Sequence, residues 1–119
     1  MFNKIFVKEL EVETIIGIFS WEREVKQLVR ISYEVEVDID QVFKSDEIKD
    51  TFDYKKVSKK IVKLVESSSF GLIETMAEKI SQIILKEKKT MSVLLSLSKP
   101  GALRGSKEVG IKIYRKKSA

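Results

Sequence analysis

The segment Ser96 to Leu103, Ser-Leu-Ser-Lys-Pro-Gly-Ala-Leu, sets Lys99 where an alternating apolar strand stops and a Pro-Gly turn begins. A side chain at a strand end is anchored by the sheet yet opens onto solvent space, which is where reactive groups tend to sit. The chain contains nineteen lysines, so position must single this one out, and by spacing alone it reads first as an exposed turn lysine. A second unusual segment, Ile16-Gly-Ile-Phe-Ser-Trp-Glu22, lies near the other end of the chain. Two absences narrow the chemistry further: the sequence has no cysteine and no histidine. Disulfides, thiolate nucleophiles, Ser-His-Asp machinery and iron-sulfur clusters are excluded, and a zinc site would lack its usual ligands. Any reaction must rest on Lys, Glu, Asp, Tyr and the substrate itself.

Such residues need rigid elements to hold them, and the apolar pattern supplies four strands and two helices. From Leu28 to Ile39 the residues alternate, with Val29, Ile31, Tyr33, Val35, Val37 and Ile39 apolar and charged or polar residues between them. The segment before it changes phase, from Ile5 and Val7 to Leu10, Val12 and Ile16, which predicts a bulge near Lys8 and Glu9. Met91, Val93, Leu95 and Leu97 predict a third strand, and Val109, Ile111 and Ile113 a fourth. Between the second and third strands the period becomes helical. Val57, Ile61, Leu64 and Val65 mark one helix, with Asp53 as its N-cap. Ile73, Met76, Ala77, Ile80, Ile83 and Ile84 mark another, which Gly71 and Glu74 are expected to open as a capping box.

The order β-β-α-α-β-β predicts an α+β fold, a four-stranded antiparallel sheet with both helices on one face. The other face, with Arg30, Ser32, Glu34, Glu36, Asp38 and Lys112, is too charged to form a second core. That face either meets water directly or, since two long outer strands leave unpaired edges, lines the polar lumen of a ring made by edge-to-edge association of subunits. A chain of 119 residues, 43% hydrophobic, forms a single domain spanning 1–119, since two smaller cores would not offset chain entropy. No apolar run approaches the roughly 18 residues of a membrane span, and no signal-peptide pattern is present, so a cytoplasmic protein is expected. The net charge of +5 permits anion or nucleic-acid binding. Lys55, Lys56, Lys59, Lys60 and Lys63 form a one-signed patch, but no aromatic residues are interleaved to stack on bases, which favours a solvated helix face.

Ile16-Gly-Ile-Phe-Ser-Trp-Glu22, Asp50-Thr-Phe-Asp-Tyr54, Phe70-Gly-Leu-Ile-Glu74 and Leu97-Ser-Lys-Pro-Gly-Ala-Leu103 together resemble the dihydroneopterin aldolases of folate biosynthesis. Each motif is weak alone. Four in order on the predicted frame make a specific signal that covers nearly the whole chain. The resemblance implies the tunnelling fold, in which four subunits close their sheets into a barrel and two rings commonly stack as an octamer. It also implies a retro-aldol cleavage that needs no cofactor, no metal and no Schiff base, because the pterin ring accepts the electrons released.

By the same resemblance, Glu74 anchors the pterin through paired hydrogen bonds, and Lys99 delivers or relays a proton at ring N5. Tyr54, supplied by the neighbouring subunit, takes part in proton transfer. Glu22 binds the trihydroxypropyl hydroxyls and takes part in that proton exchange, and Gln27 lies nearby. Backbone groups at Ile73 and, from the adjacent subunit, Phe52 contact the ring. Read without the resemblance, Glu74 is a capping glutamate, Tyr54 an aromatic packed at a helix start, and Glu22 ordinary loop polarity. Asp53 stands where many members carry a small polar, tyrosine or histidine residue. The alternatives are a dihydroneopterin or dihydroneopterin triphosphate 2'-epimerase of the same family, a noncatalytic pterin-binding protein, and a basic nucleic-acid-binding module. The resemblance favours a small-molecule pterin substrate and active sites between subunits, with neither nucleic acid nor membrane as partner.

Overall fold

Strand alternation and helical periodicity become a two-layer structure in the computed structural model, which describes residues 3–118. Four antiparallel strands, β1 (Asn3–Thr14), β2 (Gln27–Val37), β3 (Thr90–Pro100) and β4 (Glu108–Lys116), lie in the order β1-β2-β3-β4. Register brings residues of one parity into rows: Val12 faces Val29, Tyr33 faces Leu95, and Leu95 faces Ile113. These rows form the buried face, because a side-chain period of two sends alternate residues to one side. Two long helices, α2 (Tyr54–Glu66) and α3 (Ile73–Leu85), cover that face with Val57, Ile61 and Val65 and with Met76, Ala77, Ile80 and Ile84.

The phase change in β1 is a bulge. Pairing passes from Val7 with Tyr33 to Leu10 with Ile31, so Lys8 and Glu9 oppose the single residue Ser32. Glu9 takes a left-handed conformation, φ 55°, and its N–H donates to Ser32 Oγ at 2.8 Å. Asp53 caps α2 as expected, its carboxylate accepting the Lys56 N–H at 3.1 Å.

Three expectations are corrected. The N-cap of α3 is Leu72, in extended conformation and without a side-chain cap bond, so Gly71 and Glu74 do not form a capping box. Glu74 is then the second helical residue, one place too early to reach back to the cap N–H. Strand β2 ends at Val37, before Ile39: the register shifts between Glu36 and Val37, and the chain turns into a short helix α1 (Val42–Ser45) with Ile39 still buried. The outer face of the sheet is also not uniformly polar. It carries the Arg30–Glu11 pair at 2.8 Å, but Phe6, Glu34, Leu94 and Tyr114 form one cross-strand row that is three-quarters apolar by residue type.

Adjacent positions on β3 should separate the two faces. Leu95→Ala, which empties a fully buried site, is expected to cost about 2–5 kcal/mol in urea denaturation. Leu94→Ala, on the outer face, should change stability by less than about 1 kcal/mol.

Candidate active site

Lys99 has the parity of Val93, Leu95 and Leu97, so its side chain leaves β3 on the helix-covered face just beyond the last apolar residue. Gln27 continues the buried parity of Val29 and Ile31 in the same way. Polar groups that extend an apolar stripe must find partners at its end. They meet Glu22, the third residue of a short 3-10 turn, Ser20–Arg23. Glu22 is only 6% exposed, and its Oε2 accepts from Lys99 Nζ at 3.0 Å and from Gln27 Nε2 at 3.2 Å. Its Oε1 accepts the Phe19 N–H at 3.2 Å, and Gln27 also donates to the Ile16 carbonyl at 2.8 Å.

Two glycines make this packing possible. At Gly17, φ is +129°, and an added Cβ would overlap the Glu22 carboxyl group. Gly101, φ +71°, lets the chain turn sharply after Lys99 and Pro100. The Lys99 hydrogen bond, with weaker help from Gln27 and Phe19, outweighs the opposing effect of burial and holds the Glu22 carboxyl below its ordinary range.

The start of α3 is tied to the same end of the molecule. The Gly17 N–H donates to the Phe70 carbonyl at 3.1 Å, and Ile18 lies beside Gly71. Arg23 joins the two loops again: Nη1 donates to the carbonyls of Gly17 at 3.0 Å and Phe70 at 3.2 Å, and Nη2 to that of Ser69 at 2.8 Å. Glu74, three residues beyond Gly71, is exposed, and its side chain makes no hydrogen bond to another described residue. Ile18, Phe19, Trp21 and Leu72 are exposed in the same region, a set of apolar surfaces beside two carboxylates and an ammonium.

Tyr54 and Phe52 lie elsewhere. The last turn of α2 sits at the end of β1, where Thr14 Oγ1 donates to the Val65 carbonyl at 2.6 Å. Tyr54 opens that helix, so it stands at the opposite end, about 18 Å away by helix length. There it is 59% exposed and lines a cleft of about 610 Å³ with Ile5, Val7, Leu10 and Ser58. Phe52 is buried edge-on against Tyr33, with ring centres 6.3 Å apart. One chain therefore gathers Glu22, Gln27, Lys99, Ile73 and Glu74 at one end and carries Phe52 and Tyr54 at the other.

The FolB family model, dihydroneopterin aldolase, matches residues 5–114. The chain belongs to the dihydroneopterin aldolase family. It is 32% identical to the dihydroneopterin aldolase of Escherichia coli K12 over 111 residues, 93% of this chain and 91% of that one. The Haemophilus influenzae dihydroneopterin aldolase is 31% identical over 113 residues, 95% of this chain and 96% of its own. The crystal structure of E. coli dihydroneopterin aldolase in complex with neopterin superposes with a TM-score of 0.91 at 32% identity, covering 95% of this chain and 98% of that chain. No described helix is long and apolar enough to cross a membrane.

Arg23 carries no signal in the sequence, because two of its three partners, Ser69 and Phe70, lie 46 and 47 residues away. Gly17 has a detectable signal in hindsight, a lone glycine between two isoleucines close to an acid.

The ionised Glu22 gains its partners only in the folded chain. With the native value below the ordinary 4.5, this stabilisation is complete above about pH 5 and is lost as pH falls through the lowered native value. Glu22→Gln should be less stable than the wild type at pH 7, and urea midpoints should show the gap narrowing as pH falls below about 5.

Proposed function

We propose that this chain cleaves 7,8-dihydroneopterin into 6-hydroxymethyl-7,8-dihydropterin and glycolaldehyde, as a cytoplasmic enzyme of folate biosynthesis. The observation that carries the reading is the Lys99–Glu22 ion pair at the end of the core, with the Glu74 carboxylate, exposed and paired with no described residue, on the α3 start that is tied to the same end. Glu74 accepts the ring N3–H and 2-amino groups as a parallel pair of hydrogen bonds, which orients the ring as well as binding it. The Ile73 backbone and the exposed apolar side chains flank the ring. Glu22 and Gln27 meet the trihydroxypropyl hydroxyls, and Lys99 donates toward N5.

The reaction then needs few protein groups. The hydroxyl on the second side-chain carbon loses its proton, the bond between the first and second carbons breaks, and its electron pair moves into the C6–N5 imine as N5 is protonated. The second carbon leaves as the aldehyde of glycolaldehyde. The first carbon takes up a proton while N5 gives one back, which leaves the hydroxymethyl group. The ring is the electron sink, so a lysine serves as proton donor without forming an imine. A sequence lacking histidine and cysteine suits this chemistry.

The active unit is an oligomer. Tyr54 and the Phe52 backbone lie too far from Lys99 within one chain to share its substrate, so a neighbouring copy supplies them. The exposed edges of β1 and β4 support closure of four sheets into a ring, two of which stack as an octamer. Tyr54 from the neighbour then exchanges a proton with the reacting side chain.

Incubation with 7,8-dihydroneopterin should yield glycolaldehyde and 6-hydroxymethyl-7,8-dihydropterin; 7,8-dihydromonapterin as the main product would instead assign epimerisation. Lys99→Ala is expected to lower kcat by about 10²-fold or more while neopterin still binds. A borohydride-trapped adduct on Lys99 would overturn the mechanism. Glu74→Ala should abolish pterin binding with a stability change of no more than about 1 kcal/mol; loss of folding with binding per folded molecule intact would reverse its assignment. A monomeric mass in solution would rule out the shared site.

A further inference from the structure

We propose that Arg23 is a positioning residue that sets the spacing between the two ends of the substrate site, an inference that rests on the functional reading above. The substrate has to be held at its ring by Glu74 and at its side chain by Glu22 and Gln27, and Glu74 sits on a different segment from that pair. Glu22 belongs to the 3-10 turn that follows Gly17, and Glu74 to the first turn of α3, which follows the loop through Ser69 and Phe70. Arg23 bridges these two segments. Its guanidinium donates to the Gly17 carbonyl on one side and to the Phe70 and Ser69 carbonyls on the other, at 3.0, 3.2 and 2.8 Å.

The rigid fork of a guanidinium suits this task. Both Nη atoms lie in one plane, so three carbonyls bound to them are fixed relative to each other as well as to the arginine. A lysine offers one nitrogen and cannot hold the same three acceptors in the same plane. Between the same loops, the only backbone hydrogen bond among the described residues is Gly17 N–H to the Phe70 carbonyl, beside the packing of Ile18 on Gly71 and a 3.4 Å hydrogen bond from Thr14 Oγ1 to the Ser68 carbonyl. Arg23 makes none of the hydrogen bonds that hold the Glu22 carboxylate, which come from Lys99, Gln27 and Phe19. Its removal therefore leaves each end of the site assembled and frees the distance between them. Misplacement of this kind weakens ligands in proportion to how many separate anchors they must meet at once.

The prediction is selective. Neopterin must meet Glu74 and the hydroxyl-binding pair Glu22 and Gln27 at once, whereas pterin, the same bicycle without the trihydroxypropyl chain, makes no contact with that pair. Fluorescence titration of wild type, Arg23→Ala and Arg23→Lys with both ligands should show Arg23→Ala losing about tenfold in neopterin affinity and less than about twofold in pterin affinity, with Arg23→Lys between. Equal losses for the two ligands, or no loss for neopterin, would overturn the inference, since general loosening does not distinguish them. If Arg23→Ala does not fold, Arg23→Lys decides: a neopterin-selective loss supports the role, and an unselective or absent loss overturns it. A wild type that binds neither ligand overturns the functional reading itself and this inference with it.

Discussion

The Glu22 carboxylate is charged, 6% exposed and placed at the end of a hydrophobic core, and much of the local structure follows from meeting its demands. A buried carboxylate costs several kcal/mol unless hydrogen bonds and an opposite charge replace the lost water. Here the Phe19 N–H, the Gln27 amide and the Lys99 ammonium supply them from three separate stretches of chain. Room for the carboxyl group exists because Gly17 has no side chain. Satisfying the carboxylate thus fixes where the ammonium stands, since Lys99 reaches its position as the partner that the carboxylate requires. The group that stabilises the fold at this end is also the group that brings a proton donor to a strand terminus.

Around that pair, the sheet and helices divide the candidate site residues between two ends of the molecule. Helix α2 carries Tyr54 away from Lys99 by its full length, and α3 carries Glu74 toward it. An amphipathic helix packed on an antiparallel sheet has little freedom to do otherwise, because its buried stripe of Val57, Ile61 and Val65 sets its axis along β1. This separation, with Glu22, Lys99 and Glu74 at one end of the chain and Tyr54 at the other, is the ground for the proposal that neighbouring chains share a site. The five lysines of α2 occupy the solvent side of the same helix, the ordinary counterpart of its apolar stripe.

Much of this was legible in the residues. The strict alternation of β2 and β3, the phase change at Lys8 and Glu9, the helical stripes and the Asp53 cap each depend on neighbours within a turn or a pleat, so their signals survive in linear order. The start of α3 was misread because a glycine followed three residues later by a glutamate looks like a cap in sequence, whereas the cap is decided by backbone angles that place Leu72 at the boundary. The apolar row of Phe6, Leu94 and Tyr114 escaped notice because its members come from three strands and are neighbours only in register.

What the sequence determined by itself is therefore the four strands and two long helices, their buried faces, the exclusion of thiolate and imidazole chemistry, and the motifs that resemble a pterin aldolase. What only the tertiary structure decided is which of those motifs meet. Lys99 and Glu22 are 77 residues apart and come within 3.0 Å because antiparallel register and the fold-back of the 3-10 turn bring them together. Arg23 became visible only when carbonyls from two distant loops converged on it. Periodicity is a property of local backbone geometry, but the partner of a charged side chain depends on how whole elements pack. Linear order does not encode that distance.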